Sequence, residues 1–150
     1  MRASADMPGH LIRRLHQIST HIFHQRMQQA GYDLTPVQFA ALDALADRPG
    51  IDQAGLAEAV AKDKATIGAV ADRLAQKGLV ARGPSSRDRR AKTLSLTPDG
   101  AAVLAAVLPV VEALQREILP GLDESEYRQF IALAAKAMPE ADPDSPGRAM

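Results

Sequence analysis

Two short, capped, apolar-periodic segments separated by a turn of about three residues lie in the middle of this chain, and they constrain its fold more than any other feature. Asp52 caps a pattern containing Leu56, Ala57 and Val60. After Ala61 and Lys62 a second pattern begins near Asp63, carries Ile67, Val70 and Leu74, and meets a stop signal at Lys77-Gly78. Two helices joined so tightly form a helix-turn-helix. The periodicity then switches to alternation. Leu79-Val80-Ala81-Arg82 leads into the turn-rich Gly83-Pro84-Ser85-Ser86 and the basic Arg87-Asp88-Arg89-Arg90, and Thr93-Leu94-Ser95-Leu96 follows. This pattern predicts a two-stranded hairpin with a charged tip.

Longer helical patterns flank this centre. From His10 to Gln29, Leu11, Leu15, Ile18 and Ile22 form a stripe widened by Ile12, Phe23 and Met27, with a stop at Gly31. Thr35-Pro36-Val37-Gln38 supplies an N-cap, a Pro at the first helical position and a Gln at the third. It opens a helix through Phe39, Leu42 and Leu45 that stops at Arg48-Pro49-Gly50. Thr97-Pro98 caps a further helix through Val103, Leu104, Val107, Val111, Leu114 and Ile118, with a bend expected at Pro109. Asp123-Glu124-Ser125-Glu126 has capping-box spacing and starts a last helix through Tyr127, Phe130, Ile131, Leu133 and Met138. There is no internal repeat and no dividing linker. The reading is therefore a mainly α fold in a single domain over residues 10–138, with residues 1–9 a flexible N-terminus and residues 139–150, Pro-rich and polar, a disordered tail.

Charge and composition narrow the function. The 18 Lys and Arg balance 18 Asp and Glu overall, yet residues 62–92 hold nine basic groups against three acidic ones. A basic middle segment points to a polyanion such as nucleic acid; its alternative is a merely solvated surface. With no Cys, disulfides, thiolate metal cages and Cys nucleophiles are excluded. No nucleophile elbow, Gly-rich phosphate loop or metal-helix motif is present, so no enzyme class is supported and no cofactor is called for. No apolar run approaches the roughly 18 residues a spanning helix needs, and the N-terminus lacks a signal-peptide core. A cytoplasmic protein with no membrane partner is expected.

The order of elements, from long helix through helix-turn-helix and basic hairpin to two terminal helices, resembles the MarR family of winged helix-turn-helix transcription regulators. The residues that carry the resemblance are Leu56-Ala57, Asp72-Arg73-Leu74, Lys77-Gly78-Leu79-Val80 with Arg82, and Asp88-Arg89-Arg90 followed by Leu94-Ser95-Leu96-Thr97 and Gly100. Leu34-Thr35-Pro36, Gln38-Phe39-Ala40, Gly50-Ile51-Asp52-Gln53 and Asp63-Lys64-Ala65-Thr66-Ile67-Gly68 look like the branch that controls aromatic-compound catabolism. The resemblance implies a winged lobe at about residues 34–97 and dimerisation helices at about 10–30 and 98–138. It also implies a homodimeric, ligand-responsive regulator, by family habit a repressor, released from its operator by a small aromatic acid or its CoA thioester.

In a helix-turn-helix the second helix enters the major groove. With Ile67, Val70 and Leu74 turned inward, Lys64, Ala65, Thr66, Gly68, Ala69 and Arg73 lie on or near the outer face. Lys64 suits a guanine edge or a phosphate, Thr66 offers a hydroxyl or its methyl, and Gly68 with Ala69 permits contact with a thymine methyl. The alternative is that Gly68 and Ala69 are small because they pack on the neighbouring helix. The hairpin tip, Ser85, Ser86, Arg87, Asp88, Arg89, Arg90 and Lys92, suits phosphate clamping. By resemblance, Arg90 is the arginine that enters the minor groove and Asp88 the carboxylate that orients it. A two-fold dimer would bind a pseudo-palindromic site with half-sites roughly 10 base pairs apart. A winged-helix protein-interaction module without sequence-specific DNA binding is the competing class.

Arg14 borders the apolar stripe of the first helix and calls for an anion. By resemblance, that anion is the carboxylate of an effector, with His16 and Ser19 nearby and Ile18, Phe39 and Leu42 as apolar walls. A structural ion pair with an acidic group on the final helices, such as Glu117, is the alternative. His10, His16, His21 and His24 all lie on the same helix, but no carboxylate at helical spacing completes a metal set, and no metal site is called.

Overall fold

A computed structural model describes residues 2–60, 62–84 and 92–138. Six α-helices and three short strands follow in the order α1 (Pro8–Ala30), α2 (Pro36–Asp47), β1 (Ile51–Asp52), α3 (Gln53–Ala59), α4 (Lys64–Gln76), β2 (Val80–Pro84), β3 (Lys92–Leu96), α5 (Pro98–Ile118) and α6 (Glu124–Ala137). The mainly α winged helix-turn-helix is the fold of this chain. Its described residues divide into two compact units, one made of residues 34–107 and the other of residues 2–33 together with 108–138.

In the unit formed by residues 34–107, local signals set the helix starts. Thr35 accepts the Gln38 N–H at 3.1 Å while the Gln38 side chain accepts the Thr35 N–H at 3.2 Å, a complete capping box in front of a Pro at N1. Asp52 caps α3 by accepting the Gly55 N–H at 2.7 Å. The core consists of Leu34, Ala41, Leu42 and Leu45 from the α2 region, Leu56 and Ala57 from α3, and Ile67, Ala71 and Leu74 from α4. Leu79, Val80, Leu94, Leu104 and Val107 complete it. Ala71, not Val70, takes the inward position next to Ile67, and Val70 is half-buried.

The wing contains a strand absent from the sequence reading. β3 lies between β1 and β2, antiparallel to both, with Ile51 opposite Leu94 and Val80 opposite Leu96. Two residues are too few for alternation to show, so β1 exists only because β3 offers an edge. The unit also continues past residue 97 to include the first ten residues of α5. Thr97 ties the two together: its N–H donates to the Leu79 carbonyl at 3.1 Å, and its hydroxyl donates to the Gly78 carbonyl at 2.6 Å.

The other unit contains α1, the rest of α5 and α6. α1 begins at Pro8, two residues before the expected start, because Pro suits the first helical turn; a single 3-10 turn, Ala3–Asp6, precedes it. α1 ends where expected, with Gly31 in the left-handed conformation (φ 84°). A second capping box, Asp123 with Glu126, opens α6. Phe23, Met27, Val111 and Leu114 are buried, whereas Leu11, Ile12, Ile18, Ile131, Leu133 and Met138 are exposed. Among the described residues no helix is long and apolar enough to cross a membrane.

Candidate nucleic-acid interface

α4 is held at both ends. At its start the Asp63 carboxylate accepts the Thr66 N–H at 2.6 Å. Hydrogen bonds from the Thr66 hydroxyl and then from its N–H keep the Asp63 carboxyl below its ordinary range, so the cap stays charged. At the other end Lys77 Nζ donates to Gln38 Oε1 at 3.2 Å, linking the end of α4 to the start of α2, and Gly78 turns the chain with φ 75°.

This clamped helix presents a small-residue outer face. Ala65, Thr66, Ala69 and Arg73 are exposed, opposite the buried line of Ile67, Ala71 and Leu74. Lys64 opens α4, and its side chain lies outside the described structure. Gly68 is half-buried, and a Cβ built on it would lie 3.1 Å from Nε2 of Gln53 in α3. The two readings left open for Gly68 and Ala69 thus separate. Gly68 is small where α3 crosses it, while Ala69 points outward.

The wing is anchored to the same helix. Arg82 of β2 forms an ion pair with Asp72 of α4, and the Thr93 hydroxyl donates to the Gly83 carbonyl at 3.1 Å across the hairpin. Lys92 is exposed at the start of β3. The expected tip residues Ser85, Ser86, Arg87, Asp88, Arg89 and Arg90 lie outside the described residues. Ten residues separate Asp72 from Arg82 across a helix end and a turn, so no local spacing announces their contact.

The effector candidates fall in both units. Arg14 and His16 are exposed on α1, Ile18 is 37% exposed and Ser19 is half-buried. The alternative pairing of Arg14 with Glu117 is overturned. Glu117 is engaged by Arg26, whose Nε donates to Oε2 at 2.7 Å and whose second nitrogen reaches Oε1. Arg14 makes no ion pair among the described residues. In the other unit Phe39 is half-buried and borders a hollow along α2 with Asp43, Asp47 and Val60. Leu42 is fully buried with Ala41 and Leu45. This corrects its reading as a cavity wall, because α2 turns that side of the helix into the core. His16, His21 and His24 border a shallow hollow along α1 with Gln17 and Thr20, and among the described residues no group of three or more His, Asp or Glu gathers to hold a metal.

Comparison with known proteins gives consistent matches. A model of the MarR family matches residues 32–91. The transcriptional regulator HosA of Escherichia coli is 37% identical over 129 residues, which span 86% of this chain and 93% of HosA. The transcriptional repressor NicR of Pseudomonas putida is 36% identical over 131 residues, 87% of this chain and 82% of NicR. Among solved structures, Bordetella bronchiseptica BpsR, whose DNA binding is regulated by 6-hydroxynicotinic acid, superposes with a TM-score of 0.85 at 33% identity. The match covers 95% of this chain and 99% of BpsR.

Proposed function

This chain belongs to the MarR family of DNA-binding transcription regulators, and we propose that it acts as a homodimeric repressor released from a pseudo-palindromic operator by a small aromatic acid. In this reading α4 enters the major groove with Ala65, Thr66, Ala69 and Arg73 toward the bases and Lys64 at its start. The wing residues 85–92 grip the flanking phosphates, with Arg90 in the minor groove and Asp88 orienting it. Repression is the role named for NicR, and an aromatic acid is the regulator named for BpsR.

The observation that carries the effector assignment is Arg14. A guanidinium on the stripe side of α1, without a carboxylate partner among the described residues, suits a bidentate bond to the carboxylate of a ligand. His16, Ile18 and Ser19 follow it by two, four and five residues on the same helix. The coupling required is modest: a ligand that prefers the released conformation by about a hundredfold shifts the equilibrium by about 2.7 kcal/mol.

Fluorescence anisotropy on the DNA just upstream of this protein's gene, at several salt concentrations and then with 6-hydroxynicotinic acid and a panel of aromatic acids and their CoA thioesters, tests the reading. Tight, salt-sensitive binding relieved by a free acid is expected, and Arg14→Ala retains the affinity while losing the relief. Relief by a thioester alone overturns the free-acid assignment, and relief by no compound overturns the effector altogether. Binding without salt dependence overturns the phosphate contacts, since those must release counterions.

A further inference from the structure

The Gln53 amide occupies a notch on α4 that glycine alone creates. Gln53 is the first residue of α3, and its Nε2 and Cδ would lie 3.1 Å and 3.9 Å from a Cβ at Gly68, the only described atoms within 4 Å apart from the adjoining backbone of α4 and the two neighbours in the chain. Gly68 sits on the flank of α4 between the buried line Ile67–Ala71–Leu74 and the exposed Ala65 and Asp72, three residues before it and four after. Half-buried against this flank, the Gln53 amide forms no hydrogen bond with any described residue. Two N–H donors and a carbonyl are therefore held beside the recognition face without a partner among the described residues.

We propose that Gln53 is an operator-binding residue whose amide, seated in the Gly68 notch, donates to a backbone phosphate at the groove edge and sets the register of α4. The proposal rests on α4 being the recognition helix. In that geometry the first helix of the motif crosses the DNA backbone while the second enters the groove. A side chain that leaves the start of α3 and runs along the flank of α4 thus meets phosphates before base edges. A neutral amide is a competent phosphate donor, and the seat restricts the rotamers of a side chain that is otherwise costly to order. Gly68, on this account, serves Gln53 and is not small for the sake of a base.

The test uses a duplex selected from a random pool by the wild-type protein. Affinities and melting temperatures are measured for Gln53→Ala, Gln53→Glu, Gly68→Ala, the double variant Gln53→Ala/Gly68→Ala, and Arg73→Ala. Gln53→Ala should weaken binding by at least about tenfold, the effect of one hydrogen bond to a charged group. The loss should be uniform across operators changed at single base pairs, and the salt slope unaltered because no cation is removed. Gln53→Glu should weaken binding further by facing a phosphate with a carboxylate. Gly68→Ala should raise the melting temperature, since Ala is the better helix former, yet weaken binding about threefold by shifting the amide. In the Gln53→Ala background it should cost no affinity.

Wild-type affinity of Gln53→Ala, a loss confined to one base pair, or equal penalties for Gly68→Ala in both backgrounds each overturns the proposal. If Arg73→Ala weakens binding while Gln53→Ala and Gln53→Glu do not, the proposal fails and the interface stands. If none of the three weakens it, both fall.

Discussion

Gly100 shows how one residue's worth reverses between local and tertiary terms. It lies in the first turn of α5, where Ala would ordinarily gain about 1 kcal/mol over Gly. A Cβ there would lie 2.0 Å from the Leu79 carbonyl oxygen and 2.9 Å from its carbonyl carbon. That carbonyl is held in place by the Thr97 N–H, so neither side gives way easily. Overpacking costs typically about 1–3 kcal/mol, and more where backbone must move. Gly100→Ala is therefore expected to lower stability by about 1–2 kcal/mol net in denaturant melts; a stabilised variant would show that α5 and β2 separate freely. Arg90 is the other single residue on which much depends. Arg90→Ala is expected to weaken operator binding at least about tenfold with an unchanged melting temperature, and an unchanged affinity would remove the wing from the interface.

At the scale of elements, paired charges hold helices within their own units. The Arg26–Glu117 fork joins α1 to α5. Arg116 joins the end of α5 to Glu124 of α6, with Arg128 on the same carboxylate and the Tyr127 ring centre 4.2 Å from the Arg116 guanidinium. The hydrogen bonds from Arg26 hold the Glu117 carboxyl below its ordinary range, and those from Arg116 do the same for Glu124. A carboxyl depressed in the folded state contributes stability that is fully present above its unfolded pKa and is lost as pH falls through the lower, folded value. Melting temperature should therefore drop on acidification below the ordinary carboxylate range, and Glu117→Gln should flatten that drop. Both partners are 35–40% exposed, so the effect should also shrink in high salt. A Glu117→Gln profile parallel to wild type would rule out this pair as an acid-labile contact. The two capping boxes were legible because Thr35 with Gln38 and Asp123 with Glu126 satisfy backbone donors three residues apart, a purely local arrangement. β1 was illegible for the opposite reason, since Ile51 and Asp52 become a strand only when Leu94 and Thr93 arrive beside them.

For the whole molecule, the decisive surface is apolar and uncovered. Leu11 and Ile12 on α1 are 47% and 65% exposed, and Ile131 and Leu133 on α6 are 51% and 63% exposed, all within one compact unit. Large exposed apolar side chains gathered in one unit are a usual mark of a protein interface, and in the proposed dimer a second copy of the chain covers them. Leu11→Glu combined with Ile131→Glu is expected to give a folded monomer in sedimentation velocity. That monomer should lose at least about tenfold in operator affinity, because the second recognition helix no longer binds as a tethered partner. A variant that remains dimeric would place the interface elsewhere.

The helices and their order, the caps, the turn between α3 and α4 and the hairpin that follows were all determined by residues close together in the chain. Periodicity and capping act over three or four positions, and the family motif added the wing to that pattern. Tertiary structure alone decided which residues meet across distance. Glu117 took Arg26 and left Arg14 without an ion pair among the described residues, Asp72 received Arg82, Leu42 turned into the core, and Gln53 came to rest on Gly68. These outcomes depend on how helices cross and which charges lie nearer once packed, and a one-dimensional pattern does not encode such distances.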